Sequence, residues 1–340
     1  MKNSVITMPQ GAASDDRIDV FSNTNLFKPE KSSHAKKVKR WKQNITGWGF
    51  SLWPLYTYVL FALVPFALSI YLSLTELQEW RITQARFIGF DNYVWLLTSA
   101  ESNFFWSLFR TLYYSLSLPL TIFLGLFSSI LLTSRVKCKK LWRSILYIPN
   151  VCSSVGVTMM WKLIFDQQTG IINQMIVAMG GERVNFFTNF YLFMPLVIFT
   201  TTWGAGAGSI LFQAALEQVN GSLVEAAKVD GANSAQVLFN ITLPAISPTT
   251  FYVFITSLIG SLQAMGSIQL FANNGYGPKN EKGQPAGLTT VYYMYMMAFV
   301  EAKLHGMGKA SACAWLLAII IMVVTKVSFK LSDYWVCYDA

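Results

Sequence analysis

Six long apolar runs, separated by polar connections, organise the chain from residue 50 to residue 330. They cover Phe50–Leu74, Leu108–Thr133, Ile145–Phe165, Tyr191–Ala215, Ala245–Phe271 and Gly308–Lys330. Each is close to the roughly 20 residues that a helix needs to cross a bilayer. Backbone groups in hydrocarbon must bond within their own segment, so the runs predict helices. The expected fold is therefore all-α and integral to the membrane, with about six transmembrane helices. Pro54, Pro65 and Pro119 lie inside these runs, where a missing backbone donor favours kinks.

Composition agrees with the pattern. Hydrophobic residues make up 53% of the 340 and charged residues only 13%, against about a quarter in soluble proteins. The net charge of +9 sits beside membrane runs, with no aromatic-and-basic fold signature, which argues against nucleic acid as a partner. One cluster, Lys28, Lys31, Lys36, Lys37, Lys39, Arg40 and Lys42, precedes the first run; another, Arg135, Lys137, Lys139, Lys140 and Arg143, fills the 134–144 connection. Such clusters mark the cytoplasmic side, so both termini and the 216–244 connection are expected inside. The stretches 75–107, 166–190 and 272–307 then face outward, with Arg110 and Lys309 counted among the outer cations. Their Trp80, Trp95, Trp106, Tyr276, Pro278 and Pro285 suit interfacial helices or ordered loops. Residues 291–300 are apolar enough to lie in the membrane surface or continue a bent helix.

Residues 1–30 read as disordered and 31–46 as a basic stretch along the headgroups or a solvated linker, and no cleavable signal peptide is expected. The organisation expected is a cytoplasmic segment 1–45, a transmembrane body 46–335 and a cytoplasmic tail 336–340. Cys138, Cys152, Cys313 and Cys337 lack paired spacing, and His34 and His305 are isolated, so neither disulfides nor a metal site is expected. No catalytic residues are assigned.

The connection 216–244 carries the most specific pattern. Ser222-Leu-Val-Glu225 reads as a capping box that starts a helix, and Ala226, Ala227 and Lys228 continue it. Gly231 suits the positive φ that closes such a helix, and Asn233 or Ser234 can cap a second one reaching Phe239. Leu223, Val224, Val237 and Leu238 are expected to be exposed, a partner surface on an otherwise polar knob. Glu225-Ala226-Ala227, then Asp230-Gly231, Ile241 and Leu243-Pro244, resembles the EAA loop in permease subunits of binding-protein-dependent ABC importers.

The resemblance implies a type I ABC importer permease fold, with this loop as the coupling helix gripped by an ATPase. It implies a homologous second permease subunit, two ATP-binding subunits and an extracytoplasmic solute-binding protein as partners. The setting would be the bacterial cytoplasmic (inner) membrane. This chain would bind no cofactor, ATP and Mg being held by the ATPase; Gly204-Ala-Gly-Ala-Gly208 lacks the flanks of a nucleotide loop and reads as helix packing.

Arg143–Pro149, Trp161–Phe165, Gly170-Ile-Ile-Asn173, Ile268–Phe271, Thr289–Tyr293 and Gly308–Ala312 extend the likeness to the carbohydrate branch, of the maltose/glycerol-3-phosphate first-permease type. Asn274-Gly275-Tyr276-Gly277 departs from it by one inserted residue, and the 279–288 stretch is long. The resemblance places sugar-contacting positions near Asn150, Ser154, Thr201, Gly204, Ser257 and Ser261; Gln263 and Thr202 are further polar candidates. Each could equally join helices by hydrogen bonds. The solute expected is a sugar or oligosaccharide, with a glycerol-phosphate-type solute as the alternative. An ion-coupled secondary transporter is the rival mechanism, and the absence of Asp and Glu from all six runs speaks against it.

Overall fold

The structure is a computed structural model and describes residues 34–77, 85–133, 137–301 and 306–337. The first 30 residues, expected to be disordered, lie outside these, as do Arg135 and Lys303. The chain divides into two compact units at Pro65. In the first, α1 (His34–Tyr58) is already helical in the basic stretch expected along the headgroups or as a solvated linker. A π-type turn follows at Val59–Leu63, with the Val64 N–H bonded to Val59 O just ahead of Pro65. There the proline ring would remove the next regular donor.

From α2 (Val64–Ser73) the chain enters a two-stranded antiparallel ribbon, β1 (Thr75–Glu76) with β2 (Arg86–Phe87), in which Thr75 faces Phe87. Next come α3 (Asp91–Thr98), α4 (Phe104–Tyr114) and α5 (Ser117–Thr133). Pro119 falls in the first turn of α5, where its missing N–H has no intrahelical partner to lose, so the bend sits at Ser115–Leu116 and not mid-helix.

Two of the expected spans are not single helices. The third is split into α6 (Lys139–Val151) and α7 (Ser154–Ile164), parting at Cys152-Ser153 three residues after Pro149. After α8 (Ile171–Ala178), the fourth is split into α9 (Phe190–Thr202) and α10 (Gly206–Gln218) by a tight turn at Trp203–Ala205. The loop helices α11 (Gly221–Val229), α12 (Ser234–Val237) and α13 (Leu243–Ala245) lead into α14 (Ser247–Leu262) and α15 (Gly266–Phe271). Last come α16 (Thr290–Tyr295), extended by a π-type turn to Val300, and α17 (Gly306–Ser332). Among the described residues four helical segments are long and apolar enough to cross a membrane: Thr46–Ser73, Phe104–Thr133, Ser247–Phe271 and Gly306–Ser332. The two split segments bring the spans to the expected six.

The segment 291–300, expected at the membrane surface or as a bent extension, packs into the buried clusters. Tyr293 and Met297 sit in one buried cluster with Leu96, Phe104 and Ala312, whereas Tyr292 and Met296 sit in another with Phe193, Val197 and Ile268. Residues four apart share one face of a helix and these two pairs take adjacent faces, so a short helix joins both clusters. Its free amino end is closed from another helix: the Thr290 N–H donates to Thr111 Oγ1 (2.8 Å). At its flank, Tyr292 donates to Gly275 O (2.6 Å), and burial together with a hydrogen bond to Glu301 pushes the Tyr276 phenol far above its ordinary range.

Asn173 explains a second part of the sequence pattern. It is buried, its amide donates to Asp166 O and Val184 O (3.0 Å each), and its Oδ1 accepts from the Val184 N–H (2.8 Å). Gly170 is required nearby because a Cβ there would lie 2.4 Å from Asp166 O. The Asp166 carboxylate itself accepts from the Thr169 backbone and hydroxyl and from the Gln168 N–H, which holds its pKa below the usual carboxylate range. Replacing Asn173 by Leu orphans the Val184 N–H and O, while Asp166 O keeps the Gly170 N–H (3.1 Å), at a cost on the order of 3 kcal/mol. A lowered midpoint of thermal inactivation for the solubilised transporter is the expected reading.

Candidate functional site

The first candidate site is the 219–244 connection. Asn220, not Ser222, starts its leading helix: Asn220 Oδ1 accepts from the Ser222 N–H (3.0 Å) and from the Ser222 hydroxyl (2.8 Å). The capping box expected of Ser222 and Glu225 is therefore absent, because α10 ends at Gln218 and leaves Asn220 at the corner, where Asn caps as well as Ser. Glu225 and Ala226 consequently project to solvent from the middle of α11, with Ala227 half-buried.

Closure of α11 follows the sequence expectation. Gly231 has φ +85°, its N–H bonds Lys228 O (3.1 Å), and the Ala232 N–H bonds Ala227 O (2.9 Å). These two bonds are the Schellman arrangement, which satisfies carbonyls that the helix end leaves free. Asn233 then opens α12 with a reciprocal box: the Gln236 N–H donates to Asn233 Oδ1 and the Asn233 N–H to Gln236 Oε1, both 2.8 Å.

The apolar face of the knob is only partly the one expected: Leu223 is exposed as read, but Val224 and Leu238 are half-buried. Val237 is buried and anchors α12, while Leu223 (54% exposed), Phe239 (65%) and Val229 (87%) protrude. Asp230 and Gly231 are exposed beside Val229. Leu243 and Pro244 are half-buried, and Pro244, Leu223, Gln218, Ile241 and Tyr252 line a groove of about 940 Å3 under the knob.

The second candidate site lies where the spans are interrupted. Asn150, in the last turn of α6, lies beside the turn at Trp203–Ala205: its Oδ1 is 3.9 Å from where a Cβ on Gly204 would sit. At the α4–α5 bend, Ser115 accepts a hydrogen bond from Ser261 (3.1 Å), and the neighbouring Tyr114 is hydrogen-bonded to Thr201. Irregular backbone at membrane depth is stable only where protein or a water-filled cavity surrounds it. The interruptions thus collect Asn150, Gly204, Thr201 and Ser261. Ser154 and Gln263 are exposed and Ser257 is half-buried, with no contact drawing them into this group among the described residues. Gln263 caps the end of α14 and does not lie on its face.

Gly204 and Gly208 do not make the close helix packing expected of them: a Cβ at either would meet its neighbours at an ordinary 3.7–3.9 Å. One residue of this site was overlooked in the sequence. Trp203, at the turn between Thr202 and Gly204, is 42% exposed and packs edge-on against Trp161 (5.5 Å between centroids). A tryptophan beside a glycine-rich interruption was the available signal. Among the described residues, no group of three or more His, Cys, Asp or Glu could hold a metal.

Interrupted membrane helices around a polar seam, with a capped knob on one connection, define a membrane transport domain of the type I ABC importer fold. The chain superposes on a bacterial ABC transporter involved in the import of the acidic polysaccharide alginate with a TM-score of 0.72. That match covers 88% of this chain and 99% of the other at 25% identity. A family profile described as binding-protein-dependent transport system inner membrane component matches residues 117–336. The chain belongs to that family; it is a transport subunit of the inner membrane and not an enzyme. It is 30% identical over 305 residues to the probable ABC transporter permease protein YesP of Bacillus subtilis (strain 168), covering 88% of this chain and 94% of YesP. It is 32% identical over 254 residues to the arabinooligosaccharides transport system permease protein AraP of the same organism, covering 73% and 77%.

Proposed function

We propose that this permease carries an oligosaccharide, delivered by an extracytoplasmic solute-binding protein, past the seam formed by Asn150, Thr201, Gly204 and Ser261. The observation that carries the reading is the meeting of the interrupted α6–α7 and α9–α10 segments, where Asn150 lies against Gly204. Amide and hydroxyl groups beside the exposed ring of Trp203 match what a sugar offers, hydroxyls at its edge and apolar C–H at its face. Relatives named for arabinooligosaccharide and diacetylchitobiose transport, and an alginate importer of the same fold, support a carbohydrate. Ser154, Ser257 and Gln263 complete the path when the helices move.

The knob at Glu225–Gly231, continued by Leu243-Pro244, seats in an ATPase subunit, with Leu223, Val229 and Phe239 as its apolar contacts. A homologous second permease and two such ATPases, which hold ATP and Mg, complete the assembly, and both termini lie in the cytoplasm. Nucleotide binding draws the knobs together and biases the spans between inward and outward forms. The test is uptake of labelled oligosaccharide into proteoliposomes holding the full complex. It requires both ATP and the loaded binding protein, and Gly204→Trp lowers it by at least about tenfold by filling the seam, a change of roughly 1.4 kcal/mol or more. Uptake driven by an ion gradient without ATP would refute the assignment.

A further inference from the structure

Arg110 is a buried cation that transport as described above does not use. It lies on α4 and is only 5% exposed. Its Nε donates to Ala286 O (2.7 Å), whereas its Nη2 is buried without a partner, and among the described residues no carboxylate pairs with it. The rings of Tyr113, Phe190 and Trp106 surround the guanidinium carbon at 5.1, 5.3 and 5.9 Å. Attraction to ring faces offsets only part of what burying an unpaired charge costs. The arrangement is therefore short of one anion.

Space for that anion adjoins the side chain. Arg110, Trp106, Phe109, Phe190, Tyr191 and Asn280 line a pocket of about 190 Å3. That is below the roughly 300 Å3 at which ligand pockets usually begin, so it suits a small headgroup and not a sugar chain. The pocket opens beside Phe109, which belongs to a strip of exposed apolar side chains on α4 and its continuation: Phe105, Phe109, Leu112 and Leu116. Their spacing of three to four residues places them on one apolar face of the span, exposed in this chain. A group reaching Arg110 along that face arrives with an apolar stem.

We propose that this pocket binds the phosphate of an anionic phospholipid, with the Arg110 guanidinium as its charged donor and Phe109 and Tyr191 against the glycerol and upper acyl chains. Trp106 Nε1 donates to Pro285 O (2.8 Å) and Arg110 Nε to Ala286 O, so the same two side chains hold the 285–286 segment. A bound lipid would thus steady the long outer loop.

Native mass spectrometry of the complete transporter, titrated with dioleoylphosphatidylglycerol or dioleoylphosphatidylcholine, tests the idea. Retention of phosphatidylglycerol is expected to be about tenfold tighter, the scale of one charge-assisted hydrogen bond. It should be lost in Arg110→Gln, kept in Arg110→Lys and weakened in Tyr191→Ala. Tyr191 is 80% exposed, so that last variant stays informative should Arg110→Gln fail to assemble. Equal retention of the two lipids, or undiminished binding in both Arg110→Gln and Tyr191→Ala, overturns the proposal. Displacement of the lipid adduct by inorganic phosphate at millimolar concentration would keep the oxyanion site but overturn a lipid as its source.

Discussion

Gly308→Leu is expected to remove the folded permease from the membrane. A Cβ on Gly308 would lie 2.1 Å from Thr75 O, 3.0 Å from Asn92 Nδ2 and 3.3 Å from Leu72 O. None of these can withdraw cheaply. Thr75 O is backbone, and Asn92 is buried with its amide donating to both Ser73 O and Thr75 O at 2.9 Å. Relief would require α17 to back away from the end of α2, reopening the cluster in which Ala310, Ala312 and Cys313 pack on Leu96 and Met297. Overpacking costs about 1–3 kcal/mol and an opened cavity about 2–5 kcal/mol, together comparable to much of a domain's total stability. Membrane-fraction immunoblots should show the variant depleted to near background, and Gly308→Ala should already be reduced. Normal accumulation of both would show that the close approach is not needed.

The second large effect has the opposite origin. Gly231→Asp should leave the protein inserted but reduce transport at least about tenfold, a change near 1.4 kcal/mol or more in coupling. Nothing lies within 4 Å of where its Cβ would sit, so the substitution creates no clash. Its local costs are about 1–2 kcal/mol for a side chain at φ +85° and a few tenths for a new negative charge at a helix carboxyl end. Spent on an exposed loop, these are too small to unfold six spans. They are large enough to misplace Glu225 and Val229, and the substitution sets a second carboxylate beside Asp230 on the proposed docking face. Co-purification of the ATPase with the tagged permease should fall with transport, while Gly231→Ala, which carries the backbone strain without the charge, should fall less. Wild-type transport and ATPase retention in Gly231→Asp would end the docking role.

The two glycines show why parts of the molecule were readable and others were not. Gly231 announced itself because its partners are local: the bonds it closes reach only Ala227 and Lys228. Asn233 was likewise legible as a cap, since its reciprocal partner Gln236 stands three residues away. The Ser222 box failed although its spacing was right, because Asn220 competes for the same helix end and the place where α10 stops decides between them. Val237 was misread as exposed for a related reason: four residues of helix present too short a pattern to tell the buried side from the free one.

Hydropathy alone determined that this chain is a membrane protein of about six spans and located the spans to within several residues, because bilayer thickness imposes one length on every crossing. Local spacing alone determined the knob at 221–237, because helix caps and glycine turns are bonded within a few residues. Only tertiary structure decided that the third and fourth spans break, that 291–300 is core and not surface, and that Asn150 meets Gly204 and Ser261 meets Ser115. Those outcomes depend on contacts between residues 50 to 190 positions apart, and no periodicity along a single strand of sequence encodes which distant neighbour will supply a missing acceptor, as Thr111 does for Thr290.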